Sequence, residues 1–277
     1  MTKPIVAIMY DFDKTLSNKV MQEYGFSPGI GMSADSFWGE CNKLTCENKM
    51  DQILSYMYVM LKETRGKKLL NREEFNKLGS TVELCPGVGS WFERVNAYGE
   101  SIGVTVEHYI ISSGVKEIIE GTPIAKYFKQ IYAAEFLYDE SGVPIWPAMA
   151  VNYTSKTQFL FRINKGVLDV TEHRELNTYR AENERRIPFC NMIYIGDGFT
   201  DVPCMKLTKV NGGHAIAVYN DENDSAKNIM EQGRVDYIAK TDYREGERLE
   251  KTVFAILDLI KANSVTTQIT EEDKKGL

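Results

Sequence analysis

Two carboxylates one residue apart, Asp11 and Asp13, follow the apolar run Ile5-Val6-Ala7-Ile8-Met9-Tyr10. The run has the length of a buried strand, so both acids stand at its carboxyl end, where open α/β sheets bind ligands. Side chains two apart lie on one side of an extended backbone, and their charges converge and repel. A divalent cation removes that repulsion. A second acidic cluster closes another apolar run: Ile193-Tyr194-Ile195 leads into Gly196-Asp197-Gly198-Phe199-Thr200-Asp201. Asp197 is expected at a strand tip and Asp201 near the next helix start, with Gly196 and Gly198 permitting a tight backbone. Oxygens from Asp11, Asp197 and the backbone carbonyl of Asp13 suit Mg²⁺, and Asp201 would hold a water or orient a ligand. The plain alternative for this loop is a turn with a helix N-cap.

If a carboxylate such as Asp11 is to attack an anionic phosphate, fixed donors and a cation must accompany it. Ser112-Ser113-Gly114 ends a further apolar run and offers a hydroxyl and backbone N–H groups at a helix start, an anion site or simply a cap. Lys156 lies in the first turn of an expected helix, where the macrodipole disfavours a lysine. Lys165, before a polar turn, is the alternative. His108, His173 and His214 have no nucleophile to serve and read as structural. The five cysteines lack C-x-x-C spacing, which argues against a disulfide frame or a zinc site.

These residues need a scaffold. With 277 residues, 43% of them hydrophobic, the chain can fill a substantial core. A net charge of −6 without a basic block argues against a nucleic-acid partner or a polybasic membrane surface. No charged-then-apolar leader and no apolar stretch of about 18 residues is present, so a soluble cytoplasmic protein is expected. After Thr15 the pattern turns helical. Ile53, Leu54, Met57, Met60 and Leu61 form one stripe of an amphipathic helix stopped near Gly66. The stretch from Phe26 to Gly31, with Pro28 and two glycines, reads as a loop, and Phe37 and Trp38 beyond it could face a substrate. From Cys85 onward strands and helices alternate, the signature of βαβ units. Strands are expected at 107–111, 130–136, 192–195, 214–218 and 235–239, with a hairpin at Ser141-Gly142 and a last helix over 248–260. The fold class is α/β: a Rossmann-like three-layer core with a mainly parallel sheet, formed by residues 1–16 and 85–262. An α-helical cap domain, 17–84, is inserted in it, and 263–277 is expected to be a flexible tail.

Taken in order, Asp11-Phe12-Asp13-Lys14-Thr15-Leu16, Ser112, Lys156 and Gly196-Asp197-Gly198 with Asp201 resemble the four motifs of the haloacid dehalogenase-like hydrolases. The helical insert resembles the cap of the phosphoserine phosphatase-like branch. The resemblance implies an Mg²⁺-dependent phosphatase acting on a small phosphorylated metabolite. Asp11 would form an aspartyl-phosphate and Asp13 would act as acid and base. Ser112, Ser113, Gly114 and Lys156 would hold the phosphate, and Asp11, Asp13, Asp197 and Asp201 would serve the metal. Dehalogenating relatives lack the second Asp, so Asp13 favours phosphoryl transfer. Phosphoserine phosphatases carry a glutamate on the first cap helix, where this chain aligns Val20, with Glu23 a turn away; that departure puts phosphoserine in doubt. Lys14 stands where many relatives have a small residue. A phosphotransferase or mutase would use the same intermediate. A receiver-like signalling domain shares an Asp, Mg²⁺, a hydroxyl and a Lys, but places its Asp on a later strand.

Overall fold

β1 (Ile5–Tyr10) is buried from Val6 onward in the computed structural model, which describes residues 3–64, 71–220 and 225–275. Val6, Ile8 and Tyr10 enter one hydrophobic cluster while Ala7 and Met9 enter another. A strand covered on both faces needs apolar residues at every position, which explains the unbroken run. β1 lies at the middle of a seven-stranded sheet ordered β4-β3-β2-β1-β5-β6-β7. The others are β2 (Thr105–Val115), β3 (Phe128–Tyr138), β4 (Pro144–Met149), β5 (Met192–Gly196), β6 (His214–Tyr219) and β7 (Tyr237–Lys240). All pairs are parallel except the β3–β4 hairpin, whose β4 forms one edge. The chain builds outward from β1 to β4, then returns to lay β5 against the free side of β1. That reversal opens a crevice at the carboxyl ends of β1 and β5, the place where such sheets take ligands.

Helices cover both faces. α5 (Val88–Ser101) and α11 (Arg248–Lys275) pack Trp91, Phe92, Val253 and Leu257 against the Val6 face; α7 (Lys156–Lys165), α9 (Val202–Val210) and α10 (Ser225–Glu231) close the other. α6 (Lys116–Glu120) follows β2, and the short α8 (His173–Asn177) lies in the polar stretch between α7 and β5. Residues from Asn263 to Lys275, expected as a tail, continue α11. Among the described residues no helix is long and apolar enough to cross a membrane.

The insert after β1 holds α1 (Phe26–Gly29), α2 (Ala34–Asn48), α3 (Gln52–Thr64) and α4 (Arg72–Gly79). Its two ends run side by side: Ser17 bridges Leu84, Asn18 N–H donates to Glu83 O at 3.0 Å, and Cys85 N–H donates to Leu16 O at 2.8 Å. The expected loop at Phe26 is one turn of helix instead. Pro28 sits in its first turn, where a missing N–H forfeits no helical bond. The stop foreseen near Gly66 lies outside the described residues. Phe26, Phe37, Met57 and Phe75 share the cluster of the sheet's Val6 face. Phe75 stacks on Phe136 of β3 at 5.6 Å. α4 and α6 meet backbone to backbone: a Cβ on Gly121 would lie 1.8 Å from Asn76 O, and one on Gly79 would lie 2.3 Å from Ile118 O.

Candidate active site

Three adjacent strand ends carry the candidate residues. Asp11 follows β1, anchored by its N–H to Ile195 O of β5 at 2.9 Å. Its Oδ1 accepts Phe12 N–H at 2.7 Å and lies 3.1 Å from Lys156 Nζ. Lys156 is fully buried and also donates to Asp201 Oδ1 at 2.7 Å, so one ammonium joins two carboxylates. Lys165, the alternative, donates instead to Leu176 O and Thr178 O. The position in the first turn of α7 thus has a specific use, since the helix start alone would repel a lysine.

Asp201 is buried, held also by Tyr194 OH at 2.8 Å and by Gly198 N–H at 3.4 Å. It folds back over the end of β5 because Gly196 leaves room: a Cβ there would lie 2.6 Å from the Asp201 Cγ. Oxygen atoms of Asp11, Asp197 and Asp201 come within 4.8 Å of one another. The carboxylate of Asp13 turns elsewhere, accepting Met21 N–H at 2.9 Å and facing a cavity under the insert. Of the four acids expected to serve a metal, Asp13 keeps its carboxylate outside the three-acid cluster. Lys14, next in the turn, is exposed and adopts φ 58°, the left-handed region that costs a lysine roughly 1 kcal/mol or more.

Ser112 does not end β2 as expected. The strand continues to Val115, and four steps of β2, Ile111 to Val115, span what β3 covers in two, Tyr132 to Ala134. This bulge sets the Ser112–Gly114 segment beside Asp13, whose Oδ2 would lie 3.3 Å from a Cβ on Gly114. Ser112 Oγ accepts Gly114 N–H at 3.0 Å, and Val115 N–H is directed at Met21 Sδ at 3.1 Å, so the amides of the turn are held in place. A Cβ on Gly114 would meet Met21 Cε at 2.0 Å, so the Met21 side chain would have to shift to admit one. α6, only five residues, begins after the turn.

Burial dominates the electrostatics. It raises Asp11 to about 6, with repulsion from Asp201 adding and Lys156 opposing. Asp197 is lifted to about 8 by burial, then by Asp201 and Asp11. Asp13 stands well above the ordinary carboxylate range through burial and the neighbouring Asp11. Burial pulls Lys156 down, but Asp11 and Asp201 outweigh it and hold the ammonium above its ordinary value. Three carboxylates against one ammonium leave an excess of two negative charges, which one divalent cation would neutralise. The donors are all hard oxygens, so Asp11, Asp197 and Asp201 fit Mg²⁺.

The cavity over Asp13 measures about 210 Å³, below the roughly 300–1,000 Å³ of drug-sized ligand sites. Val20 and Trp38 line it, whereas Phe37 is packed in the core and Glu23 is not among the lining residues. Gln22, Asp51 and Tyr56 of the insert and Asn152, Tyr153 and Thr200 of the core also line it, and the sequence signalled none of them. Tyr56 OH donates to Ser113 O at 2.7 Å, and Asn152 Nδ2 donates to Asp51 Oδ2 at 2.9 Å; these bonds hold the insert down over the site. No histidine takes part: His108 is buried behind β2, bonded to Tyr10 OH and Asn96 Oδ1, and burial pushes it down to about 3.

No family model matches the chain. It is 28% identical over 275 residues to an uncharacterized protein of Borreliella burgdorferi, covering 88% of this chain and 94% of that one. Among solved structures, a substrate-bound phosphoserine phosphatase superposes with a TM-score of 0.58 at 17% identity, over 88% of this chain and 97% of the other. A HAD family hydrolase of Salmonella enterica serovar Typhi gives 0.57 at 18% identity, over 85% and 67%. A phosphoserine phosphohydrolase-like protein of Francisella tularensis gives 0.51 at 19%, over 86% and 95%. The chain therefore has the fold of the haloacid dehalogenase-like hydrolases, in the form that phosphoserine phosphatases share.

Proposed function

We propose that this chain is an Mg²⁺-dependent phosphatase that hydrolyses a small-molecule phosphomonoester through an aspartyl-phosphate on Asp11. One observation carries the reading. A buried carboxylate, Asp11, is held by a buried ammonium at 3.1 Å, beside a second carboxyl, Asp13, whose environment favours its protonated form. An ionised nucleophile next to a protonated acid is the division of labour that phosphoryl transfer to a carboxylate requires.

Mg²⁺ held by Asp11, Asp197 and Asp201 would supply charge neutralisation for the phosphate. The remaining work falls to the chain. Asp11 attacks phosphorus while the ester P–O bond breaks, and Asp13 gives its proton to the departing alkoxide. Water then attacks the aspartyl-phosphate, Asp13 takes the water's proton, and inorganic phosphate leaves with Asp11 restored. Lys156 and the Ser112–Gly114 turn balance charge on the phosphoryl oxygens. Asp201 holds Lys156 in place. The closed insert limits bulk water at the reacting atoms. The partner is accordingly a small phosphorylated metabolite.

The test uses p-nitrophenyl phosphate, whose leaving group needs no proton, beside an alkyl phosphate, whose leaving group does. Asp11→Asn should abolish turnover of both while melting as the parent does. Asp13→Asn should lose about 10²–10⁴-fold on the alkyl ester, retaining a burst of p-nitrophenol as phosphoenzyme accumulates. Full activity in Asp11→Asn, or indifference to chelation, would sink the mechanism.

A further inference from the structure

The cavity that receives the alcohol half of the ester has a marked chemical bias. Among the described residues that line it there is no lysine, arginine or histidine. Its carboxylates are Asp13, which belongs to the chemistry, and Asp51. Among the described residues Asp51 accepts from neutral donors, the N–H groups of Ile53 at 2.9 Å and Leu54 at 3.1 Å and the amide of Asn152. An anionic group on the alcohol would enter with no cation among the lining residues to meet it and with Asp51 on the wall, a like-charge clash.

A second observation points to what does belong there. Gln22 lines the same cavity at 1% exposure, and its side-chain Oε1 is buried without a hydrogen-bond partner among the described residues. Ser113 Oγ, also on the wall, is in the same condition. A buried amide oxygen without a donor is costly in the free protein, and a ligand that brings the donor removes that cost. The faces of Trp38, Tyr56 and Tyr153 supply the apolar remainder.

We propose that the site takes the phosphate monoester of an alcohol bearing a hydrogen-bond donor, amine or hydroxyl, and no anionic group, and that Gln22 reads that donor. The proposal rests on the phosphatase reading and deepens it into a substrate class that excludes phosphoserine.

Two matched pairs isolate the carboxylate: phosphoserine against ethanolamine phosphate, and 3-phosphoglycerate against ethylene glycol phosphate. With Mg²⁺, the carboxylate-free member of each pair should have the higher kcat/KM by about ten-fold or more. The pair with the faster member tells whether the donor is an amine or a hydroxyl. A carboxylate-bearing ester that equals or beats its partner in either pair overturns the proposal. Hydrolysis of p-nitrophenyl phosphate, run alongside, separates that result from failure of the phosphatase reading itself, which would show as no hydrolysis of any ester. In Gln22→Leu the preference for ethylene glycol phosphate over ethyl phosphate, which lacks the donor, should fall about ten-fold. Gln22→Glu, which keeps an acceptor of the same size, should retain the preference for ethanolamine phosphate over ethyl phosphate. An unchanged ratio in Gln22→Leu, or a lost one in Gln22→Glu, refutes the role of Gln22.

Discussion

Lys156→Met removes one charge and little volume from the centre of the site. Its Nζ lies 3.1 Å from Asp11 and 2.7 Å from Asp201, with all three side chains buried. At an effective dielectric of about 20, each contact carries a gross attraction of about 5–6 kcal/mol, much of it offset by desolvation of the three ions. Breaking a buried pair by removing one partner costs about 3–5 kcal/mol when the orphaned charge stays charged. Here the carboxylates can escape by taking up a proton. Asp11 already stands at about 6 with Lys156 opposing the rise, so its loss must push Asp11 higher. The variant should therefore fold, lose about 10²–10³-fold in kcat at saturating Mg²⁺, and move the acid limb of its pH–rate profile alkaline by about one unit or more. Steady-state rates on p-nitrophenyl phosphate from pH 5 to 9, with urea melts of both proteins, measure all three. Lys165→Met should change neither kcat nor the profile. A kcat within ten-fold of the parent, an unmoved acid limb, or a greater loss in Lys165→Met would refute the assigned role of Lys156.

Metal removal should depend on pH in a defined direction. Asp11 and Asp197 are raised to about 6 and about 8, above the roughly 3.9 of a free Asp, so the unfolded chain binds fewer protons and metal-free stability falls as pH rises through that window. Mg²⁺ should accordingly raise the melting temperature more at pH 8 than at pH 5.5, and equal shifts would contradict the charge balance. Gly121→Ala should cost about 3 kcal/mol or more in urea unfolding, because its Cβ would meet Asn76 O at 1.8 Å and backbone must move. Gly196→Ala should reduce turnover at least ten-fold with little loss of secondary structure, since the added carbon displaces Asp201 and with it Lys156.

The parts legible in sequence are those where one physical demand dominates. β1 and β5 are buried on both faces, so their apolar runs announce them and place Asp11 and Asp197 at their tips. Ser112-Ser113-Gly114 looks like a loop by composition, yet the bulged pairing of β2 with β3 keeps it in the strand, a constraint that lives in the partner. α11 outruns the expected end beyond its last buried position, Ile260, with Val265 and Ile269 exposed, so no buried stripe marks the extension in the sequence. Gln22 lies in a single 3-10 turn, Met21–Glu23, too short for any period to show. Asn152, Tyr153 and Thr200 come from core loops, and their place at the cavity depends on the insert folding back over them. Phe37 and Trp38, adjacent in sequence, part ways by helix geometry: one side chain is interred and the other reaches the cavity.

The pair of glycines where α4 meets α6 bears on how substrate comes and goes. Helices in backbone contact have no side-chain cushion on which to slide, and Phe75 against Phe136 pins the same corner. That corner would be the fulcrum of any movement of the insert. The opposite side of the insert meets the core through the hydroxyl of Tyr56 and the Asp51–Asn152 bond, with Tyr56 and Met57 of α3 themselves buried. An opening hinged at that corner would have to break those two polar contacts and part Tyr56 from Ser113, so both bonds stand between bulk solvent and Asp13.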